Sequence, residues 1–455
     1  MEDRPTLKPH NWVFHLHATF VFVFSSLCYA LVFFHRSAPA VLSKYISEDF
    51  GVPVDKLSIF SSMFFWTYAC MQPFGGLLAD IIDPALIVGV SAMIASCGSL
   101  ICGLSKSLTL SVLGRFIVGF GAAPTYVPIC KLITRWYPLS WYAVLGGTLL
   151  AVGGCGGIIA QAPLSAFAAT YGWRAAFIGV ACIGVIAGIL VLVTVRLDPV
   201  KFGYESVNGD EVDTNEVFSF DKKMAQLIAN FKSVVSKKAY YLFSAFCFCI
   251  NGSYYNILGL WGGPYIRNTF PGFSDGKMLI SLSVGMIVGS LAFPPISQLF
   301  GSRKWVLLSA ALIATSLSAS FLFFDLKMSF TLMFGIFLVW GACTGSISSV
   351  TFPMIIETYS GAVGATAIGC VNIFAFLGGA IFQSLTGSIL KNYTKPTNGY
   401  THKGYQIGLW IPVLVFAVIG LIITVFMEDK KKEPDAVQDH EEPHEESKDE
   451  EPIEI

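Results

Sequence analysis

Charged residues are scarce in this chain of 455 residues. Asp, Glu, Lys and Arg make up 13% of it and hydrophobic residues 54%, whereas soluble domains carry roughly 25% charged residues. The 30 acidic and 29 basic residues give a net charge of −1, and no basic patch is present. A soluble fold has no place for so much apolar surface, and the charge balance argues against nucleic acid as a partner.

Patterns that carry catalytic chemistry are also lacking. The sequence has no Walker loop, no Ser/His/Asp spacing typical of a catalytic triad, no dinucleotide fingerprint and no cluster of metal ligands. The 11 cysteines lie almost all inside apolar stretches without disulfide or metal-ligand spacing, and we interpret them as small core residues. We therefore predict no enzymatic activity, no catalytic residue, no cofactor and no metal.

What the chain has instead is twelve apolar stretches, each long enough to cross a bilayer core of about 30 Å as a helix of about 20 residues. The first six are 13–34, 57–79, 85–104, 109–133, 142–168 and 175–196; the second six are 239–266, 278–299, 305–324, 328–354, 361–390 and 405–427. The sequence predicts an all-α membrane protein with twelve transmembrane helices in two six-helix bundles.

This pattern divides the chain into five parts. We predict an N-terminal segment 1–12, a first bundle 13–196, a polar linker 197–238, a second bundle 239–427 and an acidic tail 428–455. The tail consists almost entirely of Lys, Glu, Asp, His and Pro and cannot bury a core. We expect it to be solvated and disordered, and trafficking partners of the tail are the alternative that this composition leaves open.

The distribution of Lys and Arg predicts the orientation in the membrane. With the N-terminus in the cytoplasm, 17 basic residues fall on the cytoplasmic side and 11 on the other, in the direction of the positive-inside rule. The glycosylation sequon at Asn392 then falls in a non-cytoplasmic loop. We predict that both termini are cytoplasmic, and the sequence leaves the plasma membrane and an endolysosomal membrane open.

Three motifs carry a resemblance to a known family. Residues 75–80 read Gly-Gly-Leu-Leu-Ala-Asp after the second stretch, 297–304 read Ser-Gln-Leu-Phe-Gly-Ser-Arg-Lys after the eighth, and 115–121 read Arg-Phe-Ile-Val-Gly-Phe-Gly in the fourth. Together they resemble the major facilitator superfamily, over about 15–427. The resemblance implies two parallel six-helix repeats that rock around a site at the midplane.

Each of the two loop motifs departs from the family pattern. The first keeps Gly76 and Asp80 but lacks the basic residues that follow in the family, and the second keeps Gly301 and Arg303 but lacks the acid. The resemblance implies that these four residues belong to a gating network at the cytoplasmic helix ends. Their complementary losses are consistent with two diverged copies of one unit.

Arg36 is the residue that best indicates the chemical class of the substrate. A charge within the hydrocarbon costs at least about 2.5–3.5 kcal/mol, so it faces water, protein or substrate. If the first helix continues past Phe34, Arg36 faces the central cavity and offers a planar donor fork to a carboxylate or phosphate. The alternative is an interfacial arginine that snorkels to the surface.

The segment around Arg36 resembles the first helix of the organophosphate-transporting branch of the family, where an arginine binds the substrate anion. That branch has a second arginine on the seventh helix, where this chain has Tyr255 and Trp261. The difference argues against doubly charged phosphate esters. The predicted substrate-binding residues are Arg36, Arg115, Tyr255, Trp261, Asn372 and Gln161. For Arg115, a place in the cavity and hydrogen bonds to neighbouring backbone remain equally open.

The sequence thus predicts a transporter that moves a small organic anion by alternating access. A carboxylate, an amino acid or small peptide, and a phosphate ester remain open as cargo. Alternatives are a multidrug exporter and a nutrient sensor or scaffold that keeps the fold without transport. No Asp or Glu lies near the middle of any apolar stretch, so facilitated diffusion and anion exchange are as credible as proton coupling. The predicted partners are the lipid bilayer and a small-molecule substrate.

Overall fold

The computed structural model describes residues 11–208, 220–323, 328–359, 362–395 and 399–429, and within these ranges the chain is almost entirely helical. Extended pairing in the described part amounts to an isolated antiparallel bridge between Thr394 and Tyr400. Nine helices or helix pairs of the described residues are long and apolar enough to cross a membrane. Shorter and interrupted helices make the remaining crossings, so the prediction of an all-helical fold with twelve crossings is confirmed.

The N-terminal half contains seven helices that make the first six crossings. They are α1 (Trp12–Phe50), α2 (Leu57–Ile81), α3 (Pro84–Leu104), α4 (Leu108–Ala122), α5 (Tyr126–Trp136), α6 (Tyr142–Ile159) and α7 (Ala162–Thr194). The fourth crossing consists of α4 and α5, joined by the 3₁₀ turn Ala123–Thr125. The 3₁₀ segments Val54–Lys56, Leu139–Trp141 and Pro199–Phe202 lie in connections.

The linker and the C-terminal half supply the other helices. They are α8 (Phe220–Val235) in the linker and then α9 (Lys238–Asn256), α10 (Gly262–Thr269), α11 (Asp275–Leu299), α12 (Arg303–Phe323), α13 (Phe330–Gly345), α14 (Ser348–Thr358), α15 (Ala362–Leu390), α16 (His402–Tyr405) and α17 (Ile411–Phe426). Two π-helical turns, Ile257–Trp261 and Gln406–Trp410, interrupt the seventh and twelfth crossings. A 3₁₀ segment, Lys391–Tyr393, follows α15.

The first crossing is longer than its apolar stretch. The Asn11 side chain accepts a hydrogen bond from the Phe14 N–H at 3.1 Å and so caps the start of α1, and Gly51 ends it in the left-handed conformation at φ 62°. Both are preferred devices for helix ends. Because α1 continues sixteen residues beyond Phe34, Arg36 lies inside the helix bundle rather than at its edge.

The fifth and sixth crossings are divided differently from the sequence prediction. The fifth crossing is interrupted at Ala160 and Gln161. Helix α7 then includes the last turns of the fifth crossing and the whole sixth crossing. The bend between them falls at Gly172, with φ 82° and ψ 159°, a conformation that is accessible almost only to glycine. Hydrophobicity alone does not reveal such a bend, because both sides of it are apolar.

The two halves contact each other most tightly on one side of the molecule. We call the side where α1 begins and α17 ends the terminal face and the opposite side the far face. Near the far face, a Cβ on Gly263 would overlap the Ala40 carbonyl oxygen, and one on Gly276 would lie 2.7 Å from the Ala162 Cα. Such close approach of two backbones requires glycine. The halves are therefore sealed at the far face.

Candidate functional site

A central cavity of about 170 Å³ lies between the two halves. The N-terminal half contributes Tyr29, Phe33, Arg36, Tyr68, Gln72, Gly75, Ala123, Tyr126, Val127, Gly147, Leu150 and Ala151, and the C-terminal half contributes Tyr255, Met286, Ile287, Ser290, Leu291, Gly345, Ser346, Ser348, Ser349, Phe352, Asn372 and Phe376. Many of these residues, such as Gly75, Gly147 and Leu291, lie in the part of their helix nearer the terminal face. The cavity therefore extends from the midplane toward that face.

Arg36 is the only charged residue among these described lining residues. Its guanidinium carbon lies 4.5 Å from the ring centre of Phe33, 5.3 Å from those of Tyr68 and Tyr255 and 4.9 Å from that of Phe376. Aromatic faces attract a cation, which allows the charge to be buried without an acidic partner. Its Nη1 donates a long hydrogen bond of 3.5 Å to the Tyr255 hydroxyl, so its donors stay largely available for a ligand.

Polar side chains extend from Arg36 along the cavity wall. The Tyr68 hydroxyl interacts with Arg36 and with the Gln72 side chain. Asn372 Nδ2 donates to Gln72 Oε1 at 3.1 Å and thereby connects the two halves across the cavity. Neutral amides of this kind can bind a hydroxyl or carbonyl group of a ligand. The cavity thus combines one cation, aromatic walls and a neutral polar edge.

Arg115 has a different environment from Arg36. It is fully buried on α4, where Nη1 donates to the His35 carbonyl oxygen at 2.8 Å and Nε donates to the Phe60 carbonyl oxygen at 3.3 Å. It therefore joins the fourth crossing to the first and second through their backbones. Of the two alternatives that the sequence left open, the structure places Arg115 on the backbone and outside the cavity lining.

Trp261 and Gln161 also lie outside the cavity lining. Trp261 ends the π turn of the seventh crossing, is fully buried, and donates through Nε1 to the Gln383 carbonyl oxygen at 2.9 Å. Gln161 is fully buried at the interruption of the fifth crossing, and neither of its amide atoms has a hydrogen-bond partner in the described structure. The structure thus brings together Arg36, Tyr255 and Asn372 from the predicted substrate-binding set.

The predicted gating residues lie at the terminal face. Gly76 and Asp80 belong to α2, but only their backbone is described. Gly301 adopts φ 62° in the turn before α12, and Arg303 forms a bidentate ion pair with Glu357, with Nη2 to Oε1 at 2.7 Å and Nε to Oε2 at 2.8 Å. This pair joins α12 to α14 within one half, and a gating role stays a prediction.

Phe33 and Phe376, whose rings face Arg36, are among the site residues that sequence reasoning missed. Phe33 precedes Arg36 by three positions, a spacing that places both on one face of α1, so a local signal for it exists. Phe376 comes from α15, and no local pattern connects it with a residue on α1. Its place over Arg36 depends on how the two halves pack.

The Major Facilitator Superfamily model matches residues 25–300 and 276–449 of this chain, so the chain belongs to that superfamily. It is an integral membrane protein that crosses the bilayer several times. The matches also support the predicted sugar-phosphate and organic-anion branch, because relatives with such names are found among curated proteins.

Three curated relatives illustrate how similar the matched proteins are and how much of their length is matched. The probable sulfoacetate transporter SauU of Cupriavidus necator is 28% identical over 152 residues, which is 33% of this chain and 35% of that protein. The membrane sensor protein UhpC of Escherichia coli is 25% identical over 256 residues, 53% of this chain and 56% of that protein. The hexuronate transporter of Bacillus subtilis is 24% identical over 179 residues, 39% and 42% of the respective chains. The matched part thus spans between about a third and just over half of these relatives.

Solved structures resemble this chain over nearly its whole length. A bacterial homologue of the human lysosomal transporter Spinster, in an inward-facing and unoccupied conformation, superposes with a TM-score of 0.70 at 18% identity and covers 90% of this chain and 96% of its own. The nucleoside transporter NupG superposes with a TM-score of 0.67 at 14% identity, covering 90% and 99%. At these identities the likeness concerns the fold.

Proposed function

We propose that this protein transports a small organic anion with one negative charge across a membrane, and that Arg36 binds the anion. The observation that carries the proposal is the environment of Arg36, a buried cation on the wall of a central cavity with aromatic neighbours and no acidic residue among the described lining residues. A bound carboxylate or sulfonate would supply the missing negative charge and accept charge-assisted hydrogen bonds.

The single charge limits the cargo. A dianion would keep one of its charges unpaired in a cavity with one cation, and a buried unpaired charge is costly. An amino acid or dipeptide would bring an ammonium group for which the described lining residues offer no carboxylate. The name of one relative, a hexuronate transporter, supports a cargo with one carboxylate. The side-chain amides of Gln72 and Asn372 could bind a hydroxyl or carbonyl group elsewhere on the cargo molecule.

The shape of the cavity supports alternating access. The cavity extends toward the terminal face while the halves are sealed at the far face, as in the rocking of one bundle against the other around a midplane site. We propose that the terminal face is cytoplasmic, in keeping with the excess of Lys and Arg there, and that the protein acts in the plasma membrane or an endolysosomal membrane.

A sensor without transport is the second candidate. It is favoured by one relative that bears the name of a membrane sensor protein and by the charged tail from 430 to 455, whose composition suits a binding partner. Both candidates bind an anion at Arg36. They differ in whether reconstituted protein moves that anion across a membrane, whereas neither requires an enzymatic step.

The test measures binding and transport with the same protein. Purified wild type is screened by thermal shift against monocarboxylates, sulfonates, amino acids, dipeptides and phosphate esters, beside Arg36→Ala and Arg36→Lys. We expect stabilisation by singly charged anions, and a loss of affinity of at least about tenfold in Arg36→Ala, because hydrogen bonds to a charged group contribute about 1.5–3 kcal/mol each. Arg36→Lys keeps the charge without the planar fork and should recover part of the affinity.

Arg196→Ala is the control, because Arg196 lies at the terminal face and donates to the Leu192 and Val195 carbonyl oxygens. Counterflow of the best ligand in proteoliposomes then separates the two candidates. Binding without counterflow would favour the sensor. A wild type that responds to no anion, or an Arg36→Ala variant with unchanged affinity, would refute the anion site.

A further inference from the structure

A second, narrower space adjoins Arg36 on the side away from the cavity. We call it the serine crevice; it is lined by residues that include Arg36, Ser37, Gly157 and Ser283. Gly157 follows the cavity residue Gly147 along α6, and Ser283 precedes the cavity residue Ile287 on α11, so both lie nearer the far face. Arg36 lines both spaces.

The crevice holds polar hydrogens that no group accepts. The Ser37 and Ser283 hydroxyls and Arg36 Nε are all buried, and none of them has a hydrogen-bond partner in the described structure. The Tyr254 hydroxyl interacts with the Ser283 hydroxyl outside hydrogen-bond geometry, and it donates to Met286 Sδ at 3.5 Å. A buried donor without an acceptor is destabilising, and native proteins rarely retain one without a purpose.

The two hydroxyls come from opposite halves and both lie close to Gly157. A Cβ placed on Gly157 would lie 3.8 Å from Ser37 Oγ and 3.8 Å from Ser283 Oγ. Ser37 belongs to the first crossing and Ser283 to the eighth. A small group between them would therefore be held by both halves at once, beside a permanent positive charge.

The chemistry of the crevice selects an oxyanion. It offers two hydroxyl donors and one guanidinium N–H, and no carboxylate is found among its described lining residues. A carboxylate or sulfonate head group presents two or three acceptor oxygens, which matches these donors. An ammonium group or an apolar body would leave the same donors without acceptors.

The present conformation leaves no room for a water-sized group in the crevice. Because its walls belong to both halves, separation of the halves at the far face would widen it. We propose that Ser37 Oγ, Ser283 Oγ and Arg36 Nε form a second station for the anionic head group, which receives it from the cavity as the far face opens. This inference rests on the anion transport proposed above and assigns Ser37 and Ser283 to it.

The test separates binding in the cavity from passage through the crevice. Ser37→Ala and Ser283→Ala each remove one donor, and Gly157→Ala fills the crevice with a methyl group at ordinary van der Waals distance from both hydroxyls. For all three, we expect the affinity measured by thermal shift with the best anion of the screen to stay within about threefold of wild type. Counterflow in proteoliposomes should fall about tenfold, the factor that corresponds to one hydrogen bond to a charged group.

Two matched variants control for packing. Ser281→Ala removes a buried serine hydroxyl from the same helix as Ser283, but that hydroxyl already donates to the Met278 carbonyl oxygen at 2.6 Å. Gly146→Ala adds a methyl group to the same helix as Gly157, at a position with no atom within 4 Å. Both should show wild-type counterflow. Ser283→Thr, which keeps the hydroxyl, should recover more counterflow than Ser283→Ala.

Counterflow of wild-type magnitude in the three crevice variants would overturn the inference while leaving the anion site at Arg36 intact. An equal loss in Ser281→Ala or Gly146→Ala would also overturn it, because helix packing would then account for the effect. If the wild type binds no anion at all, the proposed function fails first, and with it the second station.

Discussion

At the scale of single residues, two buried arginines illustrate how surroundings decide a role. Arg115 donates to two backbone carbonyl oxygens from different crossings, so its charge serves to hold helices together. Arg36 is surrounded by aromatic faces and interacts with the Tyr255 and Tyr68 hydroxyls instead of backbone carbonyl oxygens, and its Nε stays available. The same side chain is therefore structural in one position and suited to bind a ligand in the other.

We predict that Arg115→Lys lowers stability without changing anion affinity. A lysine has one ammonium group and cannot donate to the carbonyl oxygens of both His35 and Phe60, so one charge-assisted hydrogen bond is lost, a cost of about 1.5–3 kcal/mol. Thermal unfolding in detergent should shift down, while the affinity for the ligand of the Arg36 screen should stay within about threefold, well below the factor for a lost charged hydrogen bond. A drop in affinity like that of Arg36→Ala would show that Arg115 contacts the anion.

At the scale of elements, the π turn in the seventh crossing has a specific stabilising contact. Gly262 N–H bonds to the Ile257 carbonyl, five residues back, as a π turn requires. Gln383 on α15 donates through Nε2 to the Tyr255 carbonyl oxygen at 2.9 Å. The backbone carbonyl oxygen of Gln383 accepts a hydrogen bond from Trp261 Nε1. The distortion is thus tied to α15, and it lies directly beside the cavity residue Tyr255.

We predict that Gln383→Met destabilises this turn. Methionine has a similar length but no donor, so the bond to the Tyr255 carbonyl oxygen is lost, at a net cost of about 0.5–1.5 kcal/mol. Amide hydrogen exchange in a peptide that covers 255–262 should become faster. Gln406→Met is the matched control at the other π turn, where Gln406 Nε2 donates to the Leu322 carbonyl oxygen at 3.0 Å. Equal acceleration at 255–262 in both variants would contradict a local role for Gln383.

At the scale of the whole molecule, the far face holds the two halves together in this conformation. The Tyr400 hydroxyl donates to Asp55 Oδ1 at 2.8 Å and accepts from the Asp55 N–H at 2.6 Å. Arg267 forms an ion pair with Asp275 and donates through Nη2 to Ser43 Oγ at 2.7 Å. The bonds to Asp55 and to Ser43 join the ends of the first and second crossings to the C-terminal half, so they must break before the far face can open.

We predict that Tyr400→Phe favours opening at the far face. The variant loses both bonds to Asp55, and amide exchange in 262–269, where Gly263 meets the Ala40 carbonyl, should become faster. Burial, followed by the neighbouring Asp55 carboxylate, raises the pKa of Tyr400 well above its usual value, so the hydroxyl stays protonated and the wild-type contact should persist at pH 9.

Tyr405→Phe provides the comparison for Tyr400→Phe. It removes another buried tyrosine hydroxyl, whose hydrogen bond of 2.7 Å to Asn268 Oδ1 stays within the C-terminal half. It should destabilise the protein without promoting the exchange that reports opening. If both variants accelerate exchange at 262–269 to the same degree, the Tyr400 contact does not control the far face.

Much of the fold could be predicted because its signals are local. The apolar stretches placed every crossing, and the family motifs indicated two six-helix repeats, both of which are confirmed. Boundaries were less accurate where the break is made by backbone geometry, as at Gly172, since the residues on both sides of it are equally apolar. The five-part domain division stays a prediction, as do the membrane and the orientation of the termini.

The sequence by itself determined the class of protein and singled out Arg36 as a candidate, because an apolar stretch and a charge within it are properties of a short segment. Only the tertiary structure decided which residues accompany Arg36. Tyr255 is 219 residues away in the chain, and the Gln72 and Asn372 amides that meet across the cavity are separated by 300. Such contacts arise from the packing of two half-molecules, and so do the sealed far face and the crevice that Ser37 and Ser283 both line. No local pattern of residues encodes them.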